Sequence, residues 1–404
     1  MRNYRLFIAG LVISNAGTWM QRVAQSWLIL RITHGAGSAL GITTGLQFLP
    51  ILLFGAWGGV IVDRYSRRGL VLITQAGMGF LALVLGLLNL THTVQVWHVY
   101  MLAFLLGMLN VLDNPGRNSL LSEIVGPDRL GSAVSLNSAC FNLARMAGPS
   151  LGGLLIAAAG TATAFLVNAA SYLVVVLTLF ALRRSEMYPA PLASRRSGQI
   201  REGLRYVGGR PDLLMAMIVI GFVNTFSLNF QITIALMASE TLRLPASGYG
   251  VLFGAVGAGS IVGALLSARR ARPRMRIMLS ATLALGALEV LAAMAPDFST
   301  LFCLLLATGG AAMTVSTSSN TMVQLGADPA LRGRTMALYF LASSAGRPFG
   351  APLLGAVDSW FGARWSMASS GLASAVIAVA SGAFLVWKGR RSRAMTEVGE
   401  PGNA

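Results

Sequence analysis

Charge is scarce in this chain: Asp, Glu, Lys and Arg make up 11% of its 404 residues, where soluble domains carry about 25%. Acid is scarcer still, with 14 Asp and Glu against 31 Lys and Arg. Windows such as Gly41–Val62, Leu70–Leu90 and Leu213–Ser239 hold no charge at all and reach the roughly 20 residues that cross a bilayer. A soluble globular domain is thereby excluded. There are two cysteines, Cys140 and Cys303, each in an apolar segment; a disulfide framework is not supported, and small buried thiols are expected. Of three histidines, His34, His92 and His98, none sits in an HExxH spacing. No GxxxxGK[ST] loop is present, which argues against ATP-driven work by this chain alone. No metal site, cofactor or enzyme active site is expected. The first apolar stretch, 6–32, is too long for the 7–15-residue core of a cleavable signal.

What is present is apolar and basic. The net charge of +17 raises the question of nucleic acid, but such footprints gather on one face or arm, and here the arginines fall in short groups between apolar windows. Those windows lie at 6–32, 40–62, 70–90, 97–117, 132–158, 162–182, 213–239, 248–268, 277–295, 299–322, 335–357 and 364–387. Continuous hydrophobicity over such lengths predicts twelve helices, since barrel strands are about 10 residues and alternating. One set of loops holds Arg2 and Arg5; Arg64, Arg67 and Arg68; Arg117 and Arg129; the arginines of 183–210 and 269–276; Arg332 and Arg334; and Lys388, Arg390, Arg391 and Arg393. The other set holds Arg31, Arg243 and Arg364. That asymmetry predicts both termini in the cytoplasm.

The longest loop divides the windows six and six. The expected parts are an N-terminal bundle (1–182), a cytoplasmic linker (183–212), a C-terminal bundle (213–390) and a disordered tail (391–404). In the linker, Ile200, Leu204 and Val207 recur at i, i+4, i+7, the pattern of a short amphipathic helix on the membrane surface; a solvated linker is the equal alternative. A shift of 202 residues superposes Asn118 on Asn320, Pro127 on Pro329, Arg145 on Arg347, Gly148 on Gly350 and Gly153 on Gly355. Two parallel six-helix repeats would place a substrate path between the halves.

"GVIVDRYSRR" (59–68) packs one Asp and three Arg between two apolar runs. It resembles the loop motif between the second and third spans of the major facilitator superfamily: Gly59, Asp63, Arg64, Arg67 and Arg68 match, and Ser66 replaces a glycine. "ARMAGPSLGG" (144–153), with Arg145, Gly148, Pro149, Gly152 and Gly153, resembles the antiporter motif of exporters there, with Ala144 where a leading glycine is usual. Independently of any family, its small residues let helices approach closely and Pro149 removes a backbone hydrogen bond. "DNPGR" (113–117), "REGLRYV" (201–207) and "NAGTWMQRVAQSWL" in the first window are similar to the branch of siderophore exporters and macrolide-efflux proteins called transmembrane secretion effectors. The resemblance implies an all-α polytopic protein of two six-helix pseudo-repeats in a bacterial inner membrane. It also implies a monomeric antiporter that exports a small amphipathic molecule by alternating access, driven by the proton motive force. The rivals are an importer of the same fold and a transport-inactive receptor or scaffold.

Polar residues inside a bilayer are costly and face the bundle interior. Asn15, Arg22 and Gln25 share a stripe on the first window; Asn142 and Arg145 share one on the fifth; Asn224 and Gln231 lie in the seventh. With Arg347 they are the candidate cavity residues, although for single Asn residues interhelical hydrogen bonding is the favoured reading. Arg145 and Arg347 remain open between gate, substrate contact and latch. Glu289 is the deeply placed carboxylate and, with Asp113, the candidate proton site, a structural or lipid-edge role for Glu289 being the alternative. Asp63, Arg67 and Asp113 are expected to form a charge latch at the cytoplasmic rim, Asp63 and Arg67 sharing a helical face at i, i+4.

Overall fold

The computed structural model describes residues 2–188, 199–268, 274–328 and 331–398, which are overwhelmingly helical and include no strand. In chain order the helices are α1 (Arg2–Ile32), α2 (Gly37–Arg64), α3 (Arg67–Leu90), α4 (Val96–Val125), α5 (Leu130–Ala181), α6 (Gln199–Gly208), α7 (Pro211–Phe226), α8 (Phe230–Leu236), α9 (Ala246–Ala268), α10 (Met275–Ala293), α11 (Phe298–Gly326), α12 (Arg332–Ala345), α13 (Arg347–Phe361) and α14 (Ala363–Val398). Helices satisfy their backbone internally, which lipid demands.

Nine segments of the described residues are long and apolar enough to cross a bilayer. Twelve traversals are nevertheless present, one for each apolar window. α5 contains two, because Gly160 (φ 80, ψ 169) interrupts it. Its first arm starts beside α1, with Tyr4 against the Ala133 carbonyl, and its second returns along α3, with Arg68 bonded to the Phe180 carbonyl. α1 is too polar to qualify by hydropathy, yet Asn15, Gln21 and Gln25 are buried in it, turned to the interior. α12 and α13 make a single crossing broken at Gly346, and α7 and α8 make another, broken at Ser227–Asn229 and ending in a π turn at Met237–Thr241.

Large apolar side chains remain exposed all round the bundle, among them Leu53, Ile73, Phe80, Phe180 and Leu265. So broad an apolar surface matches lipid rather than water. Trp360 and Trp365, also exposed, sit at one end as interfacial anchors do. That end carries few arginines; the other carries α1's start, the α2–α3 turn and α6.

The internal repeat survives in three dimensions. Gly160 and Gly362, again 202 apart, both adopt positive φ at the turn into the next traversal. Gly148 lies on Trp19 of α1, and Gly350 on Thr225 of α7. Gly153 meets Gly250 of α9 and Gly355 meets Gly37 and Gly41 of α2, so each repeat's glycine seats against the other half. Close backbone approach is what small residues permit in a membrane, where no hydrophobic force drives helices together.

Several expectations need correction. α2 ends at Arg64 and α3 begins at Arg67, with Tyr65 and Ser66 extended between them; Asp63 and Arg67 therefore do not share one helical face. α14 runs to Val398, so the tail expected to be disordered from 391 begins as helix; 399–404 lie outside the described residues. Cys303 is exposed on the outer apolar surface rather than buried. α6 forms where the linker helix was expected. It docks on α12 through a Glu202–Arg334 ion pair, with Val207 buried and Leu204 exposed; the Ile200 side chain lies outside the described residues.

Candidate functional site: an arginine-lined cavity

Three arginines that are far apart in sequence converge on one cavity between the halves. Arg22 on α1, Arg145 on α5 and Arg347 at the start of α13 line it together with Trp19, Phe48, Phe253, Gln231, Asn229 and Met313, around roughly 810 Å³ of empty space including the mouth. The helix breaks put it there: Leu228, Asn229 and Phe230, from the α7–α8 break, form part of the wall, and Arg347 follows the break at Gly346. Broken helices at the midplane are a recurrent way of building transporter sites.

Each guanidinium is held but not neutralised. Arg22 lies 4.3 Å over the Trp19 ring, and its buried Nε has no hydrogen-bond partner. Arg347 lies 5.0 Å over Phe48 and donates from Nη2 to Asn224 Oδ1 at 2.9 Å, its Nε again unpartnered. Arg145 reaches the Met313 sulfur at 3.8 Å. Among the described residues, no carboxylate lines the cavity. Cation–π contacts contribute about 0.5–2 kcal/mol, less than desolvating an ion costs, so the site is poised for an anion. Aromatic faces beside planar, five-donor guanidiniums suit a molecule with both apolar rings and negative oxygens.

The other sequence-derived residues are distributed as follows. Gln231 lines the cavity and donates to Ser26 Oγ at 3.0 Å, tying α8 to α1 across the halves. Asn224 positions Arg347. Asn15 and Gln25 are buried in α1 without lining the cavity, the Gln25 amide nitrogen being unpartnered. Asn142 bonds the Ser138 carbonyl of its own helix, outside the lining. Gly148 and Gly152 seat α1 on α5, and Gly153 seats α9. The helix continues through Pro149, its interruption falling at Gly160 instead. Trp19, Phe48, Asn229, Phe253 and Met313 were not read as site residues; in sequence an aromatic or Met in an apolar window has no mark that separates wall from core.

The expected rim latch resolves into ties within the N-terminal half. Asp113 is fully buried on α4. Its Oδ1 accepts from Thr74 Oγ1 at 2.9 Å and Gln75 Nε2 at 2.8 Å, and its Oδ2 lies 2.7 Å from Arg117 Nε. Arg67 pairs with Glu123. Both ion pairs involve α4, one of them joining α3 to it, and neither contains Asp113 and Arg67 together. Arg64 is exposed at the end of α2; the surroundings of Gly59 and the Asp63 side chain lie outside the described residues. Glu289 is buried on α10, away from the cavity, where its Oε2 accepts from Ser227 at 2.6 Å and Ser370 at 3.0 Å. It ties α10 to the α7–α8 break and to α14.

Among the described residues, hydrogen bonds that join the halves include Arg145–Met313 and Gln231–Ser26 at the cavity, Ser150 Oγ to the Gly250 carbonyl, and Ser38 N to Ser359 Oγ. They run from the cavity toward the arginine-poor end.

A broken-helix cavity between two six-traversal halves defines the class as a polytopic membrane transporter fold. The chain belongs to the transmembrane secretion effector family, whose model matches residues 2–398. It is 26% identical to the enterobactin exporter of Shigella flexneri over 93% of this chain and 90% of that one. To the staphyloferrin A transporter of Staphylococcus aureus it is 28% identical, over 43% of this chain and 44% of that one. Among solved structures it resembles a bacterial homologue of the human lysosomal transporter Spinster, in an inward-facing, unoccupied conformation (TM-score 0.73, 15% identity, 95% of this chain and 96% of that one). It also resembles an inward-facing bacterial homologue of the iron transporter ferroportin (TM-score 0.73, 14% identity, 94% and 98%).

Proposed function

We propose that the protein is a proton-motive-force-driven exporter of a small anionic amphipathic molecule, of the kind represented by catecholate or carboxylate siderophores. The observation that carries this reading is the cavity of three arginines and aromatic rings with no carboxylate in its described wall. The relatives named for enterobactin and staphyloferrin A support the substrate class. On this reading the halves 1–182 and 213–390, joined by the linker 183–212, rock about the cavity as a monomer in a bacterial inner membrane. The arginine-rich end, with both termini, faces the cytoplasm. The contacts between the halves gather on the opposite side, so the cavity receives its substrate from the cytoplasm, and export follows when those contacts part.

Everted membrane vesicles with an imposed pH gradient provide the test. Uptake of a catecholate or polycarboxylate siderophore should follow the gradient and be lost when Arg22 and Arg347 are both changed to Gln. Uptake that ignores the gradient would defeat the proton coupling; uptake unaffected by the double change would defeat the assignment of the cavity.

A further inference from the structure

At the arginine-poor end, α2 begins without a capping side chain of its own: its N-cap is Ala36. The cap comes from the other half. Asp358, in the last turn of α13, lies with its carboxyl against Gly37, and Ser359 Oγ accepts the backbone N–H of Ser38 at 3.1 Å. A Cβ on Gly37 would collide with the Asp358 carboxyl. Asp358 is 4% exposed and its Oδ1 is buried without a hydrogen-bond partner. Against it lies a second carboxyl, Glu240, from the π turn that ends the α7–α8 crossing; Glu240 also sits over Gly35 in the α1–α2 turn.

The N-terminus of a helix presents free N–H groups and about half a positive charge. That is a match for one carboxylate and not for two. Two carboxyls side by side, Asp358 buried and Glu240 half-buried, repel when both are charged, so the pair favours keeping one proton. Other charged groups at this end are Arg31 on α1, His34 in the α1–α2 turn, Arg243 after the π turn and Arg364 at the start of α14. None of them is among the groups acting on either carboxyl, and Arg364 is bonded to the Ala295 carbonyl. The charged residues of α2 lie at its far end, and α8 carries none.

We propose that Glu240 and Asp358 form a proton-operated seal between the two halves at the arginine-poor end. With one proton in the pair, a single negative charge caps α2 and the neutral partner donates to it, so the halves stay closed there. When the pair loses that proton, two like charges face one helix terminus and the seal opens. The proton sets the balance between the two states and is not itself carried through. This inference rests on the rocking motion of the proposed function, though on neither its substrate nor its energy source.

The test uses the full chain in lipid nanodiscs, with Cys140 and Cys303 changed to Ser and spin labels at Thr93→Cys and Met294→Cys. Both labelled positions are exposed at the arginine-poor end, one on each half. Pulsed dipolar spectroscopy from pH 5 to 9 should show a longer separation gaining on a shorter one as pH rises. The ratio should climb by up to about tenfold per unit where the pair titrates. Glu240→Gln, which keeps the single capping charge, should hold the short separation throughout, and Asp358→Asn should flatten the pH response, which guards against misfolding of either variant. Two populations whose ratio ignores pH, or a wild-type pH response in both variants, overturn the seal alone. A single separation at every pH, even in Gly153→Ala, overturns the rocking motion as well.

Discussion

Placing a methyl group on Gly153 separates two kinds of packing that look alike in the sequence. A Cβ there would lie 2.7 Å from the Ala246 carbonyl oxygen, 2.9 Å from Gly250 Cα and 3.1 Å from Gly250 N, all backbone atoms of α9. Carbon contacts relax to about 3.5–4.0 Å, so α5 and α9 must part by roughly half an ångström or more. Overpacking of this kind costs about 1–3 kcal/mol. On the proposed rocking motion, the contact joins the two halves only while the arginine-poor end is closed. The cost therefore falls on one conformation and shifts the open-to-closed ratio by roughly 5- to 150-fold. Gly148→Ala makes the contrasting case. Its Cβ would press on Trp19 and the Ala16 carbonyl within the N-terminal half, a contact kept in both states, so thermal stability falls and the ratio does not move. Dipolar distances across the Thr93 and Met294 positions, with thermal unfolding in detergent, distinguish the two. A Gly153→Ala protein with the wild-type distance distribution would falsify the claim that this crossing is a closed-state contact.

Replacing Arg145 with Gln removes a charged donor whose hydrogen-bond contact among the described residues is the Met313 sulfur. Binding of a carboxylate or catecholate ligand should weaken by roughly 10- to 150-fold, the equivalent of about 1.5–3 kcal/mol, with the melting temperature unchanged in a thermal-shift measurement. Asp113→Asn leaves Arg117 without its partner but keeps an acceptor for Thr74 and Gln75. It should destabilise the N-terminal half by about 1–3 kcal/mol while the folded fraction still transports; lost transport at unchanged stability would reinstate the latch reading of Asp113. Ser227→Ala strips a 2.6 Å hydrogen bond from a carboxyl that stays buried. Thermal unfolding should show a loss of about 1–3 kcal/mol, and a Ser227→Ala, Glu289→Gln double variant should recover part of it.

Legibility along the chain follows the range of the forces involved. The twelve crossings were readable because hydropathy and window length are local, and even the odd-sized α5 was read as two windows divided near Gly160. The breaks at Ser227–Asn229 and Gly346 were not readable. No single residue at either place marks a break in the sequence. Asp63 and Arg67 illustrate the opposite error: their spacing is helical only if the helix continues, and Tyr65 and Ser66 end it. Asp113 was correctly singled out as a buried charge, but its partners, Thr74, Gln75 and Arg117, are chosen by how α3 lies on α4.

By itself the sequence determined the membrane class, the number of crossings, the six-and-six division and the repeat, because all of these are set by composition and order along the chain. It also named Arg22, Arg145 and Arg347, since an arginine inside an apolar window is conspicuous anywhere. Only the tertiary structure decided that the three face one cavity, that Glu289 serves the α7–α8 break, and that Glu240 and Asp358 meet at the N-terminus of α2. Those are meetings between segments far apart in the chain. The first and last are fixed by the close seating of backbones at Gly153 and Gly355, a geometry that exists only once both halves have folded against each other, and the second by how α10 and α14 pack on α7.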